Sequence, residues 1–410
     1  MHKRILLILT LLVMASASGP WRVPVAQAAP LTLAERLACR QAVEQVYWER
    51  RIWPAENESA RPSLAELLPS DRLQQQTEDT LRQSVALAEL WGEVITPARL
   101  QAEINRMAAN SQQPEALAAL WQTLDNDPVL IAECLARPQL VSRLLGKLYA
   151  LDEQVHGAVR AQATAELANL TGPEQLLTLS GVYQETTWEI AAANRPVRPG
   201  AVALEPAQLA ERRRELAAQF AAEAAHLPVR QVSGLQEDSG RFYALAILED
   251  NPTRLRVGVV SWDKEPLESW WANVRHQFAA DVATSVASET FTYTLPTLAP
   301  ANGPESWTPT QALPDPRYEH ASAWTGSEMI VWGGMSVVGR YFRDGGRYDP
   351  ATDTWTLMSF SGAPAAGINP AVVWTGTELL VWGTDTIGGR YNPVTDSWTP
   401  MTATNAPGPR

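Results

Sequence analysis

What this chain lacks narrows its chemistry first. Only five histidines occur in 410 residues, and none stands in a His-x-x-x-His or His-Glu-x-x-His spacing, so a helix-borne zinc site has no ligand set. His156, His226, His276 and His320 are scattered; His320 opens a strand-like stretch and is expected to be a packed structural residue. No Gly-x-Ser-x-Gly elbow and no phosphate-cradling glycine loop is found. No catalytic, cofactor-binding or metal-ligating residue is therefore expected. Positive charge is scarce as well: 33 Lys and Arg stand against 45 Asp and Glu, a net charge of −12. With no basic stripe interleaved with aromatics, nucleic acid and anionic lipid are not expected partners. The one basic run, Arg212-Arg213-Arg214, lies among Glu205, Glu211, Glu215 and Glu223 on an alanine-rich helix, a solvated face.

Long apolar runs are missing too. Residues 5–15 are apolar, but a bilayer span takes about 20 residues. With Lys3-Arg4 before them, His2 at the start, and Ala26-Gln27-Ala28 as a small-x-small cleavage site, residues 1–28 are predicted to be a signal peptide. No membrane span is expected after its cleavage, and the protein is expected to be extracytoplasmic: secreted, periplasmic or on the cell surface. Leu37-Ala38-Cys39 looks superficially like a lipoprotein box but follows Glu35-Arg36, outside the apolar stretch. Cysteine is nearly absent. Export allows Cys39 and Cys134, the only two, to form a disulfide.

Tryptophan, by contrast, is abundant, with 16 residues, and it marks an internal repeat. Gly-Arg-Tyr-Asp-Pro-Ala-Thr-Asp-Thr-Trp-Thr (346–356) returns as Gly-Arg-Tyr-Asn-Pro-Val-Thr-Asp-Ser-Trp-Thr (389–399), and 323–334 returns at 373–384. The first copy carries a longer loop around Ser336 to Gly345. Each copy divides into four strand candidates with a turn at Thr325-Gly326-Ser327 and another at Asp349-Pro350, where Pro presets the backbone and Asp binds the following amides. This resembles the kelch repeat: the pair Gly333-Gly334 closes the second strand, and a Tyr stands seven residues before a Trp (Tyr348/Trp355, Tyr391/Trp398). The second copy departs at Gly383-Thr384. The resemblance implies β-propeller blades, an architecture that carries many unrelated activities. Two blades plus an orphan outer strand at 306–309 fall short of the about four to eight that close a propeller, so the blades are expected to be incomplete. A partial product is the first expectation; closure by self-association and a short open sheet are the alternatives.

Residues 30–170 read as an all-α domain. Thr32 and Ser63 are candidate caps, and Thr96-Pro97 and Asp127-Pro128 place a cap before proline at the first helical position. Helices are predicted over 33–51, 71–91 (ended by Gly92), 97–107 with Leu100, Ile104 and Met107 on one face, 114–124, 129–136, and a rod over 140–170. Trp48, Trp53, Trp91 and Trp121 are expected to plug the core. Ile95-Thr96-Pro97-x-x-Leu100-x-x-Glu103-Ile104-x-Arg106 resembles the helical domain of SurA-type periplasmic chaperones, which implies a groove for extended, unfolded chains.

Residues 171–295 are predicted to be a small α+β domain: a strand over 176–183, a helix over 206–225 (Leu209, Leu216 and Phe220 inward), and strands over 242–248 and 254–262. Leu227-Pro228-Val229-Arg230-Gln231-Val232-Ser233-Gly234 followed by Arg241-Phe242-Tyr243 resembles the second half of a parvulin prolyl isomerase. In this sequence Arg230 stands at the family's glycine and Tyr243 at its active-site histidine, so a degenerate domain is implied. A proline-rich linker spans 296–316 and is expected to let the body and the blades (317–410) reorient. Asp263/Glu265 and Asp349/Asp353 are carboxylate pairs. The second lies in a turn that explains it by backbone bonding, with calcium as the other use. Trp270-Trp271 is a candidate sugar platform. The functional expectation is a non-catalytic binding protein, chaperone-like or an adaptor, with protein, unfolded peptide or glycan as partner. The alternatives are a prolyl isomerase remodelled around Tyr243 and a structural cell-surface protein.

Overall fold

Thr32 begins the first helix as its position suggests. Its hydroxyl accepts from Glu35 N (3.3 Å) and the Glu35 carboxylate accepts from Thr32 N (2.7 Å), a reciprocal cap that fixes α1, Leu33–Arg50. The computed structural model describes residues 31–191, 197–220, 227–280, 291–300, 314–365, 367–383, 387–402, 404 and 406. The predicted signal peptide, His226, the orphan strand at 306–309 and Thr384 lie outside the described residues.

The helices continue with α2 (Leu64–Leu67), α3 (Ser70–Trp91), α4 (Pro97–Asn110), α5 (Pro114–Thr123) and α6 (Pro128–Ile131). Gly92 closes α3 in the left-handed region, φ 69°. Thr96 and Asp127 cap α4 and α6 through their side chains. A wide π turn, Ala132–Ala136, leads into α7 (Arg137–Ala150), and α8 follows (Glu153–Ala168). The rod predicted over 140–170 is thus two helices. Asp152 takes the amides of Gln154 (2.7 Å) and Val155, which begins a new helix in place of extending the old one. Leu100, Ile104 and Met107 are fully buried with Leu87, Leu117, Leu120, Ile131 and Val141. Cys39 of α1 and Cys134 of the π turn form a disulfide with Cα atoms 6.1 Å apart, which places the chain in an oxidising environment.

The predicted strand over 176–183 begins later than expected. Pro173–Thr178 is a 3₁₀ turn, and only Val182–Ile190 pairs, as β1. Gln175 Oε1 accepts from Thr171 N (2.6 Å), and the winding sends Leu176 inward (0% exposed) but Leu177 outward (64%). A five-stranded sheet then forms from β1, β2 (Val202–Leu204), β3 (Gln236–Glu237), β4 (Arg241–Asn251) and β5 (Arg254–Asp263), in the order β2-β1-β5-β4-β3. Helix α9 (Pro206–Gln219) covers one face, with Leu209 and Leu216 on Leu245, Ile247 and Val257. Ala163 of α8 packs on the other, against Phe242, Ala244 and Val260. Helix α10 (Leu267–Val274) follows β5.

Each copy of the repeat folds as a four-stranded antiparallel meander. The first is β6 (Ala321–Trp324), β7 (Met329–Trp332), β8 (Gly345–Asp349) and β9 (Thr354–Leu357). The second is β10 (Ala371–Trp374), β11 (Leu379–Trp382), β12 (Gly389–Asn392) and β13 (Ser397–Pro400). The described chain is therefore mixed: helices in its N-terminal half and three separate small sheets after them.

The meanders contact the helical body directly, and not through the predicted linker alone. Both copies fasten to the helical body through the same two turns. Thr325 O accepts from Ile52 N (2.6 Å) and its equivalent, Thr375 O, from Asn57 Nδ2 (2.7 Å). Pro350 O accepts from Gln112 N (2.8 Å); in the second copy, Val394 O and Thr395 O accept from Gln76 Nε2 (3.0 Å) and Arg72 (2.5 Å). Gly326 and Gly376, at φ 105° and 100°, allow this approach: a Cβ on Gly376 would stand 2.5 Å from the Trp53 ring. Trp53 therefore packs against a meander turn, whereas Trp48 and Trp121 are buried among the helices.

Candidate functional site

Helix α4 presents two different surfaces, and both are used. On one side Glu103, its side chain 2% exposed, is held by Arg106 (2.8 Å) and Arg143 (2.5 Å). Arg106 reaches on to Thr352 O (2.9 Å), Asp353 O (3.0 Å) and Thr354 Oγ1 (3.1 Å), so a buried charge network fastens the first meander. Asp349 lies in the same turn. Its carboxylate accepts from Tyr47 (2.7 Å), Thr352 Oγ1 (2.7 Å) and Ala351 N (2.9 Å). Burial pushes its pKa up to about 6, against the pull of those donors. Asp353 accepts from the Tyr348 hydroxyl at 2.8 Å. Both members of this carboxylate pair thus serve as acceptors within the turn. Among the described residues no group of three or more His, Cys, Asp or Glu is placed to hold a metal ion.

On its other side α4 holds a length of extended chain. Gln101 brackets one peptide unit: its Oε1 accepts from Thr294 N (2.8 Å) and its Nε2 donates to Thr294 O (2.9 Å). Further along the same segment, Ala299 N donates to Ala108 O at 3.1 Å. Tyr293, Leu295 and Leu298 point into the helical core, while Thr292, Thr294 and Thr297 face outward. The Tyr293 hydroxyl is pushed up to about 12 by burial and by the nearby Glu133 carboxylate. Burial would raise Glu133, but Arg137 (2.8 Å) and Arg36 (2.6 Å) hold it below the usual carboxylate range. This side of α4 thus holds one peptide unit at both polar atoms, with apolar side chains packed beside it and a compensated charge cluster near Tyr293. Gln101 carries no sequence signal, since a glutamine on a helix surface is ordinary until the chain it brackets is known.

The repeat landmarks have structural positions. Gly333 and Gly334 have φ of 66° and 88°, and a Cβ on Gly334 would lie 2.6 Å from Tyr318 O. Gly383 faces Pro370, 3.0 Å from where its Cβ would stand. Tyr348 and Trp355 rings are 5.2 Å apart, Tyr391 and Trp398 5.1 Å. Tyr391 donates to Asp396 (2.5 Å) as Tyr348 does to Asp353.

Three candidates from the sequence take other roles. Trp270 and Trp271 are 9% and 7% exposed and pack on Trp91, Tyr149 and Phe278, so they are core and not a sugar platform. His320 stands just before β6 and is exposed as a residue, where a packed structural residue was expected. Tyr243 faces the α9 side of the five-stranded sheet, where the long loop of the first meander lies over it. Gly339 O accepts from Gln184 (2.5 Å) and Thr186 (2.7 Å), and Arg340, paired with Asp238, stands 5.6 Å from the Tyr243 ring.

No protein-family model matches the sequence. Comparison with curated proteins finds no match either. Among the described residues no helix is long and apolar enough to cross a membrane.

Proposed function

We propose that the chain is an exported, non-catalytic binding protein whose helical body receives an extended apolar peptide along α4, with the meanders as kelch-type blades presenting loops to a protein or glycan partner. The observation that carries this reading is the Gln101 bracket on Thr294, with Tyr293, Leu295 and Leu298 entering the core beside it. Residues 291–300 occupy the groove as a peptide in trans would: one backbone unit held at both polar atoms, apolar side chains inward, threonines outward. The disulfide and the predicted signal peptide support a secreted, periplasmic or cell-surface location. The covering of Tyr243 by the 336–341 loop favours binding over prolyl isomerisation, since that chemistry needs substrate access to the site.

The test releases the internal occupant. Leu295→Asp with Leu298→Asp in the full chain should free the groove, and a fluorescein-labelled peptide copying residues 291–300 should then bind at least about tenfold more tightly than to the unaltered chain. Adding Gln101→Ala should weaken that binding about tenfold, the equivalent of about 1.4 kcal/mol for two exposed hydrogen bonds. A released variant that keeps its circular dichroism and thermal transition yet binds no peptide refutes the reading.

A further inference from the structure

The two meanders lie face to face, and the repeat shows what each face is for. Ile330, Trp332 and Met358 of the first are 0%, 1% and 2% exposed. They pack on Leu379, Val381, Tyr391 and Trp398 of the second, with the Trp332 and Trp398 rings 4.5 Å apart. The repeat gives the second meander the same set. Leu380 stands at the position of Ile330, Trp382 at Trp332 and Met401 at Met358. Even the close glycine contact recurs. A Cβ on Gly345 would lie 3.1 Å from Met358 Sδ, and one on Gly388 would lie 3.0 Å from Met401 Sδ. Yet Leu380, Trp382 and Met401 are only partly buried, and Val373 beside them is 59% exposed. They line an apolar hollow of ≈ 380 Å³ with Ala371 and Ala406.

We infer that this hollow is an interface for a third blade of the same repeat, one that brings the equivalents of Leu379, Val381, Tyr391 and Trp398. A second copy of this chain does not fit as occupant. Its complementary surface would be the first meander's other face, and that face is already closed: Val331 and Tyr348 are 5% and 8% exposed, α7 packs along β9, and Pro314 sits over Gly346. An apolar sheet face of this kind, flanked by a buried counterpart built from the same residue types, is shaped for burial and not for water.

The test supplies the blade. In a chain where residues 360–402 are repeated once after residue 402, hydrogen exchange across 379–382 should slow at least about tenfold. Leu380→Asp in the original copy should remove that protection without changing exchange across 329–332. An added copy that leaves exchange at 379–382 unchanged overturns the inference. So does a concentration-dependent dimer of the unaltered chain, seen in sedimentation velocity and abolished by Leu380→Asp, since it assigns the face to a second copy. If the extended chain does not fold, the unaltered one still decides. Trp332→Ala should lower Tm by about 5 °C and Trp382→Ala by less than about 1 °C. Equal losses would show that the face is already filled.

Discussion

Asp349→Asn offers a close test of how the first meander is seated, because the repeat has already made the change: the equivalent residue is Asn392, whose Oδ1 accepts from Val394 N at 2.9 Å and Thr395 N at 3.4 Å. Asp349 is 6% exposed, and its pKa rises from 3.8 in the unfolded chain to about 6 in the fold. A group raised on folding favours the protonated native state. Its contribution is fully present below pH 3.8 and is lost as pH rises through about 6. The separation of about two pH units corresponds to about 3 kcal/mol. The amide cannot ionise, and the Tyr47 and Thr352 hydroxyls can turn to accept from it. The unfolding free energy of Asp349→Asn relative to the unaltered chain should therefore increase by about 3 kcal/mol between pH 3.5 and pH 7.5. Urea denaturation at half-unit pH steps measures it. Using the difference between the two proteins cancels Glu133 and Glu237, whose lowered pKa values work in the opposite direction. A difference that stays flat with pH would show that the buried carboxylate is ionised in the fold at no cost, and the reasoning would fail.

Two further outcomes are expected. Replacing Cys39 and Cys134 together by alanine, which opens a loop of 95 residues, should lower stability by about 4 to 5 kcal/mol. The urea midpoint with and without reductant checks this, and an unchanged midpoint counts against it. Arg106→Ala leaves Glu103 buried with Arg143 alone and removes the donor to the 352–354 turn. A loss of about 3 to 5 kcal/mol is expected, with faster hydrogen exchange at 352–354; a loss under about 1 kcal/mol would mean the network is not seated as described.

Local signals carried well from sequence to structure. The caps at Thr32, Thr96 and Asp127 act within four residues, and the meanders repeat their turn chemistry twice. The Cys39–Cys134 bond was legible because no third cysteine competes. The failures involve neighbours distant in sequence or close competitors. Leu176-Leu177 reads as strand until Pro173 and Gln175 wind it into a turn. Asp152 breaks the α7–α8 rod because its side chain captures amides that a continuing helix would use. Trp270-Trp271 resembles a surface platform until Trp91 and Tyr149, from other helices, arrive on top of it. The seat of residues 291–300 on α4 left no mark in the sequence, because Gln101 acquires its role from chain nearly two hundred residues away.

The closed flank of the first meander gives the pair a polarity. Both are tied to the helices by their turns, but the first meander's outer face leans on the helical body while the second's is left partly open among the described residues, so the two sheets are not equivalent despite their shared sequence. Loss of structure under stress should begin at the far strands and travel toward the wall, making the helical body the last support to give way.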